Sequence, residues 1–269
     1  MSRILRNCCL IALAVVWLVP TYLLIVNAVS PSENYDGSPD WFPNGFGFFD
    51  NLGEAWSSAD LGLGIYNSLL YATLSAGLAV FAAALASFAV IVMPVRRRGL
   101  WFWLIYSGTL LPLQIFLAPL FNGFVNVNLY DTQIGMVLIY AALCVPFAFF
   151  VVRNYLTTVP LEVTEAAQLD GAGWLRLFWQ IHLPLAKSSL LAAFVFQFTW
   201  VWNDLLFGIT LSTSPNIRPV MAALAELNGG YSSLGPPIVL SAALFVSLPT
   251  VVLFLAFQRF FVSSLKPVG

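Results

Sequence analysis

The chain has 269 residues, 60% hydrophobic and only 9% charged, against roughly 25% charged in an ordinary soluble domain. A single soluble core of this size cannot bury that much apolar surface, and the net charge of −1 names no partner. A soluble enzyme, a secreted disulfide scaffold and a disordered linker are excluded.

The charges are clustered, leaving uncharged runs at 7–32, 61–95, 99–130, 132–152 and 227–258, and one at 188–203 broken by Asp204. A membrane helix needs about 20 apolar residues to cross about 30 Å of hydrocarbon. A transmembrane β-barrel would instead show short alternating segments. The fold class is therefore all-α and polytopic, with six predicted transmembrane helices.

Span one is expected at about 8–29. Its apolar stretch exceeds the 7–15 residues of a signal-peptide core, so it reads as an uncleaved anchor. An outer loop rich in Pro, Gly, Asn and Asp follows, with a short helix near 52–57. Span two, at about 64–93, stops at Pro94 and three arginines. Span three, at about 100–120, contains Pro112 and Pro119 and should be kinked or broken. Span four covers about 134–152, span five about 188–211, and span six about 238–258 with Pro249 inside. Cys8, Cys9 and Cys144 fall within or at the ends of spans, lack metal spacing, and read as small apolar residues. No metal site is expected.

Ten of the eleven basic residues fall on one side of this six-span arrangement: Arg3, Arg6, Arg96, Arg97, Arg98, Arg153, Arg176, Lys187, Arg259 and Lys266. Arg218 is the exception. Six carboxylates, from Glu33 to Asp60, lie in the first outer loop, which has no Lys or Arg. By the positive-inside rule both termini are cytoplasmic.

The long cytoplasmic stretch 153–187 reads as helix–turn–helix. Pro160 suits a helix start, and Glu162 and Glu165 stand near the favourable positive end of the dipole. Ala166 and Ala167 permit close approach. Asp170 and Gly171 mark a stop, with Gly171 able to take positive φ. A second helix from Gly173 to Leu183 sets Trp174, Leu177, Phe178 and Ile181 against Arg176 and Gln180, and Pro184 ends it. The residues alone leave two readings open: a tip that docks into a partner, or a plain amphipathic linker.

The order Glu165-Ala166-Ala167, three residues, Gly171, nine residues, Ile181, one residue, Leu183-Pro184 resembles the EAA loop of the inner-membrane permease subunits of binding-protein-dependent ABC importers. Asn67-Ser68, Pro146-Phe147, the stretch 154–160, Trp202-Asn203-Asp204 and Gln258-Arg259 are similar to the carbohydrate branch, and within it to MalG-like subunits. The resemblance covers nearly the whole chain. It implies a type I importer permease fold: residues 1–64 hold the first span and outer loop, 65–258 the permease core with its coupling loop at 154–187, and 259–269 a cytoplasmic tail.

In that family the loop is a coupling helix seated in a cleft of the ATPase. The resemblance therefore implies that Glu165 pairs with a basic residue there, that Gly171 supplies the turn, and that Ala166 and Ala167 pack on the cleft wall. Asp170, Ile181, Leu183 and Pro184 complete the loop. The chain has no G-x-x-x-x-G-K-[ST] loop, so ATP and Mg would be bound by partners and the chain itself is not an enzyme. The implied partners are a homologous sister permease, two ATPase subunits, an extracytoplasmic substrate-binding protein and membrane lipid, in a bacterial-type cytoplasmic membrane; no nucleic acid is implied. The tail 262–269 departs from the family: it is shorter and lacks the glycines of the G-L-T-x-G-A-V-K-G pattern that can reach into the ATPase interface.

Polar residues inside spans are pathway candidates, because polar groups are costly in lipid. Asp204 has three readings: a sugar ligand, a proton carrier, or a bond to a neighbouring helix. Asn203 and the Trp200/Trp202 pair suit a sugar, Gln114 lies beside the Pro112 kink, and Asn67 reads as a cap or interhelical bond. His182, the only histidine, reads as surface or interfacial. One histidine excludes a zinc protease motif, and one intramembrane acid excludes a di-aspartyl protease. The rival readings are a glycerol phosphate ester or polyol importer, for which phosphate would favour pathway cations, and a secondary transporter or channel.

Overall fold

The computed structural model describes residues 3–228 and 234–264, the last six without their side chains. Gly229, Gly230, Lys266 and the tail beyond residue 264 lie outside the described residues, as does the Arg259 side chain. The described residues form helices joined by turns and loops. Among the described residues, four helices are long and apolar enough to cross a membrane: Arg3–Val29, Leu61–Ile91, Gln133–Leu156 and Pro236–Gln258. Two bent pairs raise the number to six if each counts as one span.

The chain divides into two compact units. The first comprises Met1–Ile65 and Val220–Pro249. It holds α1 (Arg3–Val29), α2 (Phe48–Ser58), the start of α3 (Leu61–Ile91), and two segments from later in the chain. α1 is almost wholly exposed until Val26, as expected of a lipid-facing helix. Polar groups at its end fix the following loop. The Asn51 amide donates to Ser30 O at 2.8 Å and accepts from Ser32 N at 3.2 Å. The predicted short helix is present and begins four residues earlier than expected.

The second unit comprises Tyr66–Pro219 and Thr250–Gly269. Most of α3 belongs to it, followed by α4 (Arg98–Tyr106), α5 (Leu117–Asn126) and α6 (Gln133–Leu156). Ala72, Ala76, Ala79 and Ala83 of α3 are fully buried; their spacing makes a small-residue stripe that admits a close neighbour. Along α3, Ser75 donates to Val137 O at 3.0 Å and Ser87 to Phe149 O at 3.3 Å, tying α3 to α6 where water is absent to compete. α6 starts at Thr132, whose hydroxyl accepts from Gly135 N at 3.0 Å, an N-cap.

Span three is broken, as its prolines lead one to expect. Arg98–Thr109 and Leu113–Asn126 meet at 91°, with the break at Pro112. Pro119 instead sits in the first turn of α5, where its missing N–H costs nothing. Just past α4, Gly108 permits close approach to α6: a Cβ there would stand 2.7 Å from Pro146 Cγ and force a shift.

After α6 come α7 (Leu161–Leu169) and α8, the arm Trp174–Leu185. α9 (Lys187–Trp202) and α10 (Leu206–Leu211) follow. The sequence predicts one span over 188–211; the structure breaks it at residues 203–205. α11 (Val220–Leu227) and the first part of α12 (Pro236–Ser264) belong to the first unit, and the rest of α12 to the second. Pro249 lies inside α12 without ending it.

Candidate functional site

Two features of the second unit stand out: a cavity at the broken helices and an exposed loop tip braced on the core. The cavity, about 990 Å³, is lined by Gly108, Thr109, Leu111 and Leu113 around the span-three break, and by Leu143, Pro146 and Phe147 of α6. Val195 to Trp200 except Phe198, residues 203–206, and Thr250 and Phe254 of α12 complete it. Broken helices create such a space because they free backbone groups and leave no continuous cylinder to fill it.

Among the described residues, Asp204 is the one ionisable side chain in this lining. Its Oδ2 accepts from Tyr140 Oη at 2.8 Å, Phe207 N at 3.0 Å and Gly208 N at 3.2 Å. It thus ties α6 to the segment after α9 and satisfies two N–H groups at the start of α10 that have no intrahelical partner. Asn203 bonds back to Thr199 O at 2.7 Å and is exposed. Trp200 lines the cavity and meets Tyr140 edge-on, 6.1 Å between ring centroids. Trp202 does not join it: two residues on, about 200° round the helix, it is 1% exposed and stacked on Phe198. The pair expected to serve a sugar is therefore split between cavity and core.

Gln114 is exposed and outside the cavity lining. Gln197, not singled out in the sequence, lies in the lining and donates to Cys144 O at 2.9 Å. Its signal was an amide within a run of apolar residues. Asn67 acts between elements: its amide donates to Asn216 O at 3.0 Å and Arg218 O at 3.1 Å and accepts from Gln133 at 3.1 Å.

In the loop, Glu165, Ala166, Asp170 and Gly171 are exposed, and Gly171 takes φ +80°. Gly171 N donates to Gln168 O at 3.0 Å and Ala172 N to Ala167 O at 2.9 Å, closing α7 by a left-handed glycine turn. The opposite side is anchored. Ala167, Ile181 and Leu183 pack on a cluster containing Phe88, Phe149, Leu177 and Phe178, while Pro184 is exposed.

α8 is not the uniform α-helix expected: Leu177–His182 is π-helical. The wider turn moves the buried stripe round, leaving Trp174 exposed and His182 3% exposed. The surface reading of His182 is therefore corrected. Its Nε2 lies 3.1 Å from the Thr164 hydroxyl of α7 and its ring packs 5.4 Å from that of Phe88. Pro184 does not end the arm, which runs on to Leu185.

The family profile described as "Binding-protein-dependent transport system inner membrane component" matches residues 75–267. The chain is 30% identical over 258 residues to the sn-glycerol-3-phosphate transport system permease protein UgpE of Yersinia enterocolitica, covering 92% of this chain and 90% of that one. It is 29% identical to the melibiose/raffinose/stachyose import permease protein MelC of Bacillus subtilis, covering 92% and 89%. It is 27% identical to the diacetylchitobiose uptake system permease protein NgcG of Streptomyces coelicolor, covering 93% and 83%. In fold it is similar to a chain of the crystal structure of a bacterial ABC transporter involved in import of the acidic polysaccharide alginate. The TM-score is 0.80 at 19% identity, over 97% of this chain and 99% of that one.

Proposed function

The chain belongs to the family of binding-protein-dependent transport system inner membrane components, and on that premise we propose that it forms half of the translocation pathway for a neutral sugar or oligosaccharide. The other half is a homologous sister permease. Two ATPase subunits bind ATP and Mg, and one extracytoplasmic binding protein delivers substrate. The chain crosses a bacterial cytoplasmic membrane six times, with the bent pair at Pro112 counting as span three, α9 and α10 as span five and α8 left on the cytoplasmic side, and both termini lie inside, as the arginine distribution favours.

The observation that carries the coupling reading is the construction of the loop. Glu165 and Asp170 stand exposed, while the inner face of the same segment is fixed to α3 and α6 through Leu177, Phe178 and the His182–Phe88 ring contact, and the Thr164–His182 contact joins its two arms. A carboxylate at such a tip makes a charge-assisted hydrogen bond to a basic residue of an ATPase cleft. When ATP closes the ATPase pair, the displaced tip cannot fold away independently of the core. The load passes to α3 and α6, and from Tyr140 to the chain break at Asp204 beside the cavity.

The cavity lining favours a neutral substrate. It offers aromatic rings, amides and hydroxyls, and among the described residues that line it there is no Lys, Arg or His. A sugar presents apolar ring faces and neutral hydroxyls to match; a phosphate ester calls for cations. This weighs against the glycerol phosphate reading suggested by the name of its Yersinia relative. Asp204, with one oxygen already accepting three hydrogen bonds, acts as an internal strut.

The test is ATP hydrolysis by the purified complex with its binding protein loaded either with a neutral saccharide or with sn-glycerol-3-phosphate. Stimulation by the saccharide-loaded protein is expected; stimulation by the glycerol phosphate form alone would overturn the substrate reading.

A further inference from the structure

The loop after α1 does not simply leave the helix end; it turns back along it. The Asn27 side chain accepts from Asp40 N at 2.9 Å and donates to Asp40 O at 3.0 Å. One step further down, Tyr22 Oη donates to Trp41 O at 2.7 Å. Tyr22 lies seven residues before Val29, the end of α1. At a rise of 1.5 Å per residue, that is about 10 Å below the helix end. Residues 40 and 41 are thus tied back along the last two turns of α1.

The side chains at this point are aromatic and uncovered. Trp41 is 61% exposed and Phe42 78%, and they continue the outward-facing surface of α1, on which Trp17 and Tyr22 are also exposed. Six carboxylates and no Lys or Arg lie between residues 30 and 63, so anionic headgroups would repel this loop rather than recruit it. Trp is enriched at the membrane–water interface because its ring is apolar with one polar edge.

We infer that Trp41 and Phe42 form an interfacial wedge, held at its depth by Tyr22 and Asn27 and inserted into the headgroup–acyl boundary of the leaflet at the Val29 end of α1. Its partner is the lipid bilayer itself, zwitterionic lipid sufficing. The wedge fixes the height of α1 in the membrane and holds the start of the loop at the surface. The inference needs only that α1 spans the membrane, so it stands or falls separately from the substrate and coupling readings.

The test uses the assembled complex in nanodiscs of phosphatidylcholine. Cys8 and Cys9 are replaced by Ser, buried Cys144 is left in place, and a nitroxide is attached at Phe42→Cys or, for comparison, at Ser38→Cys. Collisions with oxygen, which concentrates in hydrocarbon, should dominate at position 42. Collisions with a water-soluble nickel chelate should dominate at position 38. Equal nickel access at both positions overturns the inference, because the segment is then in water. Access to neither reagent at 42 also overturns it, because another subunit then covers the site. An unlabelled reading guards against disturbance by the label: the fluorescence lost on Trp41→Phe should be quenched by lipids brominated near the headgroup, and a difference signal that is not quenched contradicts the wedge.

Discussion

The hydroxyl of Tyr140, two turns into α6, donates to Oδ2 of Asp204, in the break after α9, at 2.8 Å. Tyr140 is fully buried, and the same oxygen takes the N–H groups of Phe207 and Gly208. An acid in an apolar run is here the fastener of a broken helix, and the cavity opens beside that break.

Asp204→Asn keeps an oxygen in place to accept from Tyr140 and the two N–H groups, and should fold and transport. Asp204→Ala strands a buried hydroxyl and two backbone donors, at about 1–3 kcal/mol for each buried group left unpaired. Thermal unfolding of the purified complex should rank wild type and Asn together, with Ala clearly below. An Ala variant of full stability that has lost transport would make Asp204 a substrate ligand instead.

Trp200 and Trp202 should answer differently to the same change. Trp200→Ala removes a ring from the cavity lining and should raise the half-saturating substrate concentration of transport roughly 2- to 10-fold, equivalent to about 0.5–1.5 kcal/mol of aromatic contact. Trp202→Ala empties a core position at a cost of about 3–5 kcal/mol and should show as lost expression and a lower melting temperature. Equal effects on affinity would contradict the split between cavity and core.

Thr164→Val leaves His182 without its partner on α7, and its Nδ1 already lacks one. The two arms of the loop should loosen, raising hydrogen exchange in α7 and α8 and weakening stimulation of hydrolysis by binding protein. Thr164→Ser keeps the hydroxyl and should restore both. Exchange unchanged in Thr164→Val would show that apolar packing alone holds the arms.

Acid should release the contact between the α5–α6 turn and the segment after α10. Asp131 accepts from Thr213 N at 2.8 Å, Ser214 N at 3.0 Å and the Ser214 hydroxyl. Burial acts to raise its pKa, but the hydrogen bonds from Ser214 and Thr213, with Arg218 nearby, outweigh it and hold the carboxyl below its usual value. A folded pKa below the unfolded one, about 3.9, gives stability that is present above that value and lost as pH falls through the folded pKa. Asp131→Asn should flatten the pH dependence of unfolding in that acid window; an unchanged profile would contradict the assignment.

The long apolar helices were legible because uncharged runs of that length have few structural outlets, and the span-three break because proline removes the N–H that a helix needs. Gly171 was legible for the converse reason, since a residue free to adopt positive φ follows a helix and an aspartate. The break at 203–205 was not, because Asn203 and Asp204 satisfy the helix ends from within an apolar run and leave no proline or glycine as a mark. Nor was the burial of His182. The residue stands at a position that the loop pattern leaves open, and only its spacing of four residues from Phe178 marked it for the buried face. Trp200 and Trp202 were read as a pair by proximity in sequence, although two residues on a helix face nearly opposite ways.

The coupling role of the loop is tested most directly by Glu165→Lys in the purified complex, measuring ATP hydrolysis with and without loaded binding protein. The exposed side chain carries no fold-holding contact, so the complex should assemble, while stimulation by the binding protein collapses as the reversed charge repels the basic partner. Stimulated hydrolysis and transport at wild-type levels would contradict the account: Glu165 would then not be the contact through which this permease is driven.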